Sequence, residues 1–251
     1  MKSKKKVLIL SMAIFISTLT LSGTILAGNT LDNSFTEPVT GAIFTTTVDG
    51  TIINENVHYT YKTDVYLDGG PGPHAPSTAA ALQPGDYYYQ VTDPSGKYLL
   101  STDHISCRAV HVNEYGVISQ VYEGVNYEWS QGSWVPVPCK HNQGVDVDHS
   151  ELGAITVQLF PFDDTPNNGG VYKAWMTPVA YYQGDPNYVP QKRNDPLNGE
   201  DYQPGYFHGF IPKYSKTDNF KVFEKVPHYI TPLITVQKFH DKNFNGIFDR
   251  R

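Results

Sequence analysis

The sequence lacks most of the motifs on which common enzyme activities depend. The motifs G-x-S-x-G, H-E-x-x-H and G-x-x-x-x-G-K-[S/T] are all absent, so the order of residues gives no support to a hydrolase. Cysteine is scarce as well, and Cys107 and Cys139 are too far apart for a C-x-x-C metal site. A hydrolase is therefore our third interpretation, kept because nine histidines and many aspartates are available to meet in space.

Long apolar runs are also scarce, and the one that is present lies at the N-terminus. Four lysines within the first six residues precede an apolar run from Val7 to about Leu21, and small residues follow up to Ala27. This order is typical of a secretory signal, so we predict that residues 1–27 are a signal peptide removed on export. The alternative is a retained membrane anchor, but serines and threonines interrupt the run. We expect no membrane span after cleavage.

Positive charge is in short supply once the signal is removed. The formal charge falls from −6 to −10, because residues 1–27 contain four lysines and no acidic residue. An acidic chain repels the phosphate backbone, so we expect no nucleic-acid partner. The same charge suits a secreted protein that meets divalent cations.

Helix-forming residues are scarce, whereas aromatic and turn-forming residues are abundant. The chain has 18 tyrosines, 12 phenylalanines, 21 glycines and 18 prolines. Alternating runs such as YYYQV, bounded by the turn signals PGD and DPSGK, predict antiparallel β-structure. We therefore predict an all-β fold, an antiparallel β-sandwich formed as one composite or two small domains. On the YYYQV strand, the ring of Tyr88 is expected to face away from those of Tyr87 and Tyr89.

The order of strand and turn signals divides the chain into segments. Two of them have little regular pattern: residues 127–148, predicted to be irregular, and residues 183–205, predicted to be a long loop. The predicted organisation is a signal peptide (1–27), a linker (28–38), a first β-sandwich block with a disulfide loop (39–150), a second block (151–231) and a terminal segment (232–251).

The two cysteines are predicted to pair with each other. An exported chain meets an oxidising environment, where Cys107 and Cys139 are expected to form a disulfide. The alternative is two unrelated free thiols.

The terminal segment contains the pattern D-x-N-x-N-G-x-x-D, which is typical of the start of a calcium-binding loop. Carboxylate, amide and carbonyl oxygens at this spacing supply about five ligands, and calcium takes six to eight. The acidic residue expected at loop position 12 does not follow, so we predict weak calcium binding; the alternative is a solvated polar tail. The candidate ligands are Asp241, Asn243, Asn245, the carbonyl of Ile247, and Asp249.

This loop and the strand before it, ITVQKFHDKNFNGIFD, resemble the opening of the calcium-binding B-type repeats of Gram-positive Sdr-type surface adhesins. The resemblance covers only Ile234 to Asp249. It implies an immunoglobulin-like or prealbumin-like sandwich, calcium as the ligand, and a shortened member of a longer surface protein. Upstream, VYLDGGPGP and GGVYKAWMTP resemble uncharacterised bacterial secreted β modules, which imply no known activity.

Two further groups of residues are candidates for binding. The run HNQGVDVDHSE is either a second metal site or, as we favour, a hydrated loop near the disulfide. Loop aromatics are either sugar-stacking rings or core side chains. The members of the first group are His141, Asp146, Asp148, His149 and Glu151, and those of the second are Trp129, Trp134, Tyr181 and Tyr188.

Together these features predict a secreted, non-catalytic structural or adhesive module of the cell surface or matrix. Its partner would be a protein or a glycan, and calcium would be a weakly bound cofactor. The alternative is a carbohydrate-binding module that uses its loop aromatics, and a secreted hydrolase remains third.

Overall fold

The regular secondary structure of the described part of the chain is almost wholly β-strand. The computed structural model describes residues 38–223, except for residues 55, 73, 74, 76–78, 196 and 198–202. Within these residues the only helices are three-residue 3₁₀ turns, so the predicted all-β, antiparallel sandwich-like fold is confirmed. The strands are β1 (Ala42–Thr46), β2 (His58–Tyr59), β3 (Tyr66–Gly70), β4 (Gly85–Thr92), β5 (Ala109–Val112), β6 (Ile118–Val121), β7 (Gly124–Ser130), β8 (Ser133–Cys139), β9 (Gln143–Val145), β10 (Ile155–Gln158), β11 (Val171–Pro178) and β12 (Lys216–Val222).

Ten of these strands form two sheets. The first sheet has the order β1-β3-β10-β9, and the second has the order β2-β12-β11-β4-β5-β6. Neighbouring strands are antiparallel except for β2 and β12, which are parallel. Strand β3 pairs with β10, and β4 pairs with β11. The predicted blocks 39–150 and 151–231 therefore contribute strands to the same two sheets.

The main hydrophobic core combines side chains from both sheets. Leu67 and Val157 of the first sheet belong to the same buried cluster as Val91 and Met176 of the second. All four of these side chains are fully buried. Burying one such side chain stabilises the fold by about 1.5–3 kcal/mol.

The alternation on β4 distributes its tyrosines between two clusters, as predicted. Tyr87 and Tyr89 lie in the main core, whereas Tyr88 lies in a second, smaller cluster with Trp175 and Phe210. Successive side chains on a strand point to opposite faces. The second sheet is therefore covered by apolar side chains on both faces at β4.

A half-buried carboxylate also connects the sheets. Asp218 on β12 accepts hydrogen bonds from the backbone N–H of Thr45 on β1 (2.6 Å) and from its hydroxyl (2.8 Å). Hydrogen bonds to a charged group are among the stronger ones in proteins. This contact fixes the first strand of one sheet against a strand of the other.

The prediction of an irregular segment over residues 127–148 is wrong. Most of this segment is β7, β8 and β9. Pro136 and Pro138 obscured the strand pattern of β8, because proline cannot donate to a sheet ladder. Strand β8 tolerates both prolines because it pairs on one side only, with β7. The signal peptide, residues 28–37 of the linker and the terminal segment 232–251 lie outside the described residues.

Candidate functional site

Strands β7 and β8 form a separate two-stranded ribbon. They pair from Gly124 and Cys139 at the base to Ser130 and Ser133 at the tip, and among the described strands they pair with no other. The tip residues Gln131 and Gly132 have positive φ angles of 50° and 88°. Two such residues make the tight turn that matches the twist of a hairpin. No residue of either strand is fully buried, so the ribbon is an exposed feature of the surface.

The base of the hairpin is held by covalent and hydrogen bonds. The predicted disulfide is formed: Cys107 and Cys139 are joined, with 5.6 Å between their Cα atoms. The Ser106 hydroxyl donates to the Val125 carbonyl (3.0 Å) and accepts from the Val125 N–H (3.1 Å). A Cβ on Gly124 would lie 2.1 Å from the Ser106 carbonyl oxygen, so only glycine fits there. The 3₁₀ turn at Ile105–Cys107 is thus bonded to both strands, to β7 through the Ser106 hydroxyl and to β8 through the disulfide.

One face of the hairpin is wholly apolar. The pairs Val125–Pro138, Tyr127–Pro136 and Trp129–Trp134 are non-adjacent rungs, so their side chains project to the same side. The indole rings of Trp129 and Trp134 meet edge to face, with centroids 5.5 Å apart. The two prolines and Val125 are exposed. The three aromatic rings, those of Tyr127, Trp129 and Trp134, are half-buried. We call this surface the aromatic hairpin face; it consists of Val125, Tyr127, Trp129, Trp134, Pro136 and Pro138.

The long loop predicted over residues 183–205 contacts this face. The Trp134 indole N–H donates to the Lys192 carbonyl (2.8 Å), and His104 Nε2 bonds the Tyr188 carbonyl (2.9 Å). The ring of Tyr127 meets that of His104 edge to face at 5.3 Å. The loop and the hairpin are therefore held together at two points.

The loop segment at residues 188–195 is organised around one carboxylate. Asp195 accepts hydrogen bonds from the backbone N–H groups of Lys192 (2.7 Å) and Gln191 (2.8 Å), and also from the Tyr188 hydroxyl. The N–H groups of Lys192 and Gln191 are the main cause of a lowered Asp195 pKa. An ionised acceptor is thus fixed in the same loop segment that bonds the Trp134 indole.

Burial of His104 sets the protonation of the imidazole at the hairpin base. Its Nδ1 accepts the backbone N–H of Ser106 (3.2 Å), so the ring proton sits on Nε2 and is donated to the Tyr188 carbonyl. Burial lowers the pKa of His104, with the nearby Arg108 charge acting in the same direction. The neutral ring therefore bridges the hairpin base and the loop.

Of the predicted aromatic candidates, the structure brings together Trp129, Trp134 and the backbone of Tyr188. Tyr181 lies elsewhere, where its ring stacks on that of Tyr214 at 4.3 Å and packs against the main core. His104 was not predicted from the sequence. Its position two residues before a serine is typical of a local cap, but the contact with Tyr188 spans 84 residues and leaves no sequence signal.

A polar cavity of about 250 Å³ lies beside the base of the hairpin. Asp103 and His141 line it, and Asn126 of β7 and Cys139 of β8 form part of its wall. The Asp103 carboxylate is also 3.3 Å from Nε of the fully buried Arg108. The buried charges of Asp103 and Arg108 therefore lie close to the base of the hairpin.

The charged run at residues 141–151 divides in the structure. His141 pairs with Asp103, whereas Asp146 and His149 lie together with Asp68 of β3. Asp148 and Glu151 are exposed. The sequence interpretation missed Asp68, although a charged residue within the buried strand YLDGG was a usable signal.

Asp68 and Asp146 are both buried, and their ligand atoms and that of His149 lie within 4.8 Å of one another. The Asp68 carboxylate accepts the Gly69 N–H (2.6 Å), and Asp146 Oδ2 lies 2.9 Å from His149 Nδ1. Burial, followed by the charge of Asp146, raises the pKa of Asp68 to about 7. At neutral pH this site therefore attracts a positive charge.

The predicted calcium ligands Asp241, Asn243, Asn245, Ile247 and Asp249 lie outside the described residues, so weak calcium binding there stays a prediction.

Comparison with known proteins identifies no relative of this chain: no family model, curated protein or solved structure matches it. No helix among the described residues has the length and apolar character that crossing a membrane requires.

Proposed function

We propose that this chain is a secreted, non-catalytic adhesive module that contacts an extracellular partner through the aromatic hairpin face. The observation that carries the proposal is the hairpin itself, an exposed ribbon with one wholly apolar face and a disulfide at its base. A disulfide is typical of proteins that work in oxidising, extracellular surroundings. The proposal extends to attachment at a cell surface or matrix.

The anchoring of the hairpin supports this role. An isolated two-stranded ribbon is at best marginally stable in water, so an exposed one needs external support. Here the Cys107–Cys139 bond and the hydrogen bonds of Ser106 provide it. A surface that is fixed before binding loses less conformational entropy on association. The geometry therefore favours recognition over a purely structural role for these rings.

The chemistry of the face indicates which residues would dominate binding. Tryptophan and tyrosine are enriched among the residues that contribute most to protein interfaces, because they bury large areas with few rotatable bonds. Trp129 and Trp134 lie at the tip end of the face, and Tyr127 lies nearer the base. We expect Trp129 and Trp134 to contribute most of the affinity.

Carbohydrate binding is the second candidate, and one observation favours it. The Asp195 carboxylate lies in the segment that bonds the Trp134 indole, and its hydrogen bonds keep its pKa low. An aromatic ring stacks on the apolar face of a sugar, while an ionised oxygen accepts its hydroxyl protons. A glycan partner would thus use Trp134 and Asp195 together, whereas a protein partner would depend on the rings.

The test is a binding screen of the secreted full chain against immobilised matrix proteins and polysaccharides. We expect Trp134→Ala and Trp129→Ala to weaken binding at least tenfold, which corresponds to about 1.4 kcal/mol. Tyr181→Ala is the matched control, because this tyrosine stacks on Tyr214 away from the hairpin. Equal binding by wild type and both tryptophan variants would refute the proposal.

The same screen separates the two kinds of partner. Asp195→Asn is expected to weaken binding to a polysaccharide and to leave binding to a protein nearly unchanged. Release of sugar or peptide fragments by the wild-type chain would contradict a non-catalytic role and favour the hydrolase interpretation.

A further inference from the structure

Asp68, Asp146 and His149 come from distant parts of the chain and converge beside the first sheet. Asp68 lies in the middle of β3, between β1 and β10, and Asp146 follows directly after β9. Asp68 and Asp146 are 5% and 1% exposed, and the His149 side chain is 16% exposed. Two buried acids are therefore grouped with one partly exposed imidazole.

The charges in this cluster do not balance. Within residues 38–223, as far as they are described, neither Asp68 nor Asp146 forms an ion pair with a lysine or an arginine. One imidazole supplies at most one positive charge against two carboxylates. Buried carboxylates without compensation are strongly unfavourable, so the cluster must take up either a proton or a cation.

The geometry suits a metal ion. Two ligand atoms about 2.1 Å from one ion, at tetrahedral or octahedral angles, are roughly 3.0–3.4 Å apart. The separation of 2.9 Å between His149 Nδ1 and Asp146 Oδ2 is close to this range, and the Asp68 carboxylate lies within 4.8 Å of both ligand atoms. We propose that Asp68, Asp146 and His149 form a binding site for a divalent transition metal ion, Zn²⁺ or Mn²⁺ in preference to Ca²⁺.

The ligand types support this choice of metal. Imidazole nitrogen suits zinc and other transition metals, whereas calcium takes six to eight oxygen ligands. Three protein ligands leave room for water, and His149 is the member of the set that reaches solvent. This site is distinct in chemistry from the predicted calcium loop at Asp241–Asp249, which offers oxygen ligands only.

The surroundings fix the ligands before the ion arrives. Asp146 Oδ1 accepts the backbone N–H of Asp148 (3.1 Å), and a Cβ on Gly50 would lie 2.5 Å from that same oxygen. Gly50 has φ of 86°, so this close approach of the turn depends on glycine. A bound ion would tie β3 to the loop after β9, and it would stabilise the folded state.

The experiment uses the secreted full chain, freed of metal with a chelator and titrated calorimetrically with ZnCl₂, MnCl₂ and CaCl₂. We expect one saturable Zn²⁺ or Mn²⁺ site and a rise in Tm of about 5–10 °C at a hundredfold excess over Kd. Asp146→Asn and His149→Gln should weaken this binding at least tenfold. CaCl₂ should give no transition that depends on Asp146.

His111→Gln is the matched control. His111 Nδ1 lies 2.7 Å from the buried Asp86 carboxylate, but this pair belongs to no three-residue metal cluster among the described residues. Zinc affinity in this variant should stay within twofold of wild type. Zinc binding that is unchanged in Asp146→Asn and His149→Gln, or no saturable binding to wild type, would overturn the proposal. Calcium binding that depends on Asp146 and matches zinc in affinity would overturn the choice of metal.

A second variant guards against misfolding as the cause of lost binding. Asp68→Asn removes one of two facing buried acids, so its metal-free Tm should equal or exceed that of wild type while its response to zinc is lost. A lower metal-free Tm with an unchanged zinc response would show that Asp68 is only structural, and would exclude it from the site.

Discussion

The Asp103 carboxylate lies 2.7 Å from His141 Nε2, and both side chains are buried. The other ring nitrogen of His141, Nδ1, lies 2.7 Å from the Gln158 carbonyl, so acceptors face both nitrogens. Nε of Arg108 lies 3.3 Å from the other oxygen of the same carboxylate. Asp103 therefore lies between the buried imidazole of His141 and the buried guanidinium of Arg108.

Replacing Asp103 should be strongly destabilising. In Asp103→Asn, the guanidinium of Arg108 stays buried without its counter-charge, and we expect the free energy of unfolding to fall by about 3–5 kcal/mol. Urea denaturation measures this change. Asp164→Asn is the control, because the Asp164 side chain is 60% exposed and its ion pair with Lys62 should be worth less than about 1 kcal/mol. Equal losses of unfolding free energy in Asp103→Asn and Asp164→Asn would contradict this prediction.

The disulfide should contribute substantially to stability. Cys107 and Cys139 are 32 residues apart, and in the chain-entropy model closing such a loop stabilises the fold by about 3–4 kcal/mol. We expect the double variant Cys107→Ala, Cys139→Ala to lose about this free energy of unfolding in urea. Reductant should lower the stability of wild type to a similar value and leave the variant unchanged. A loss below about 1 kcal/mol in both experiments would count against this prediction.

Acid should loosen the contact between the hairpin and the loop. Burial lowers the pKa of His104 below its ordinary value of 6.5, so the unfolded chain takes up a proton at a higher pH than the folded chain. At pH values well above 6.5, His104 is neutral in both the folded and the unfolded chain, so it does not change the free energy of unfolding. As the pH drops below 6.5, the unfolded chain takes up the proton first, and the free energy of unfolding therefore falls. Protonation of Nδ1 would also end its acceptance of the Ser106 N–H.

The measurement compares wild type with His104→Asn in urea between pH 7.5 and pH 5. Asparagine keeps an acceptor for the Ser106 N–H and does not titrate. The stability of wild type should fall with decreasing pH more steeply than that of the variant. Parallel pH profiles for the two proteins would show that His104 does not titrate in this way.

Local patterns in the sequence were sufficient to predict the fold class but not the pairing of strands. The alternation of Tyr87, Tyr88 and Tyr89 gave their orientation correctly, because the period of a strand is a local property. Strand β4 pairs with β11, which lies about 80 residues further along the chain, and nothing local encodes such a partner. Sheet order therefore had to come from the structure.

The candidate sites show the same limit. Trp129 and Trp134 were recognised as binding candidates, but the prolines of β8 concealed that they lie opposite each other on a hairpin. Asp146 and His149 were recognised as metal-binding residue types, although a hydrated loop was the favoured interpretation. Their third partner, Asp68, precedes them by more than 70 residues and was not connected with them. Residue types are visible in a sequence, whereas contacts between distant segments depend on tertiary packing.

The terminal loop should bind calcium only weakly. Its pattern offers about five ligands and has no acid at position 12, so we expect a Kd no tighter than about 10⁻⁴ M. Calorimetry of the secreted chain with CaCl₂ measures this constant, and Asp241→Ala should abolish the binding. Micromolar affinity would show that other oxygens complete the coordination. Calcium binding that survives Asp241→Ala would place the ion elsewhere, and combining this variant with Asp146→Asn would then show whether the cluster on β3 takes calcium as well.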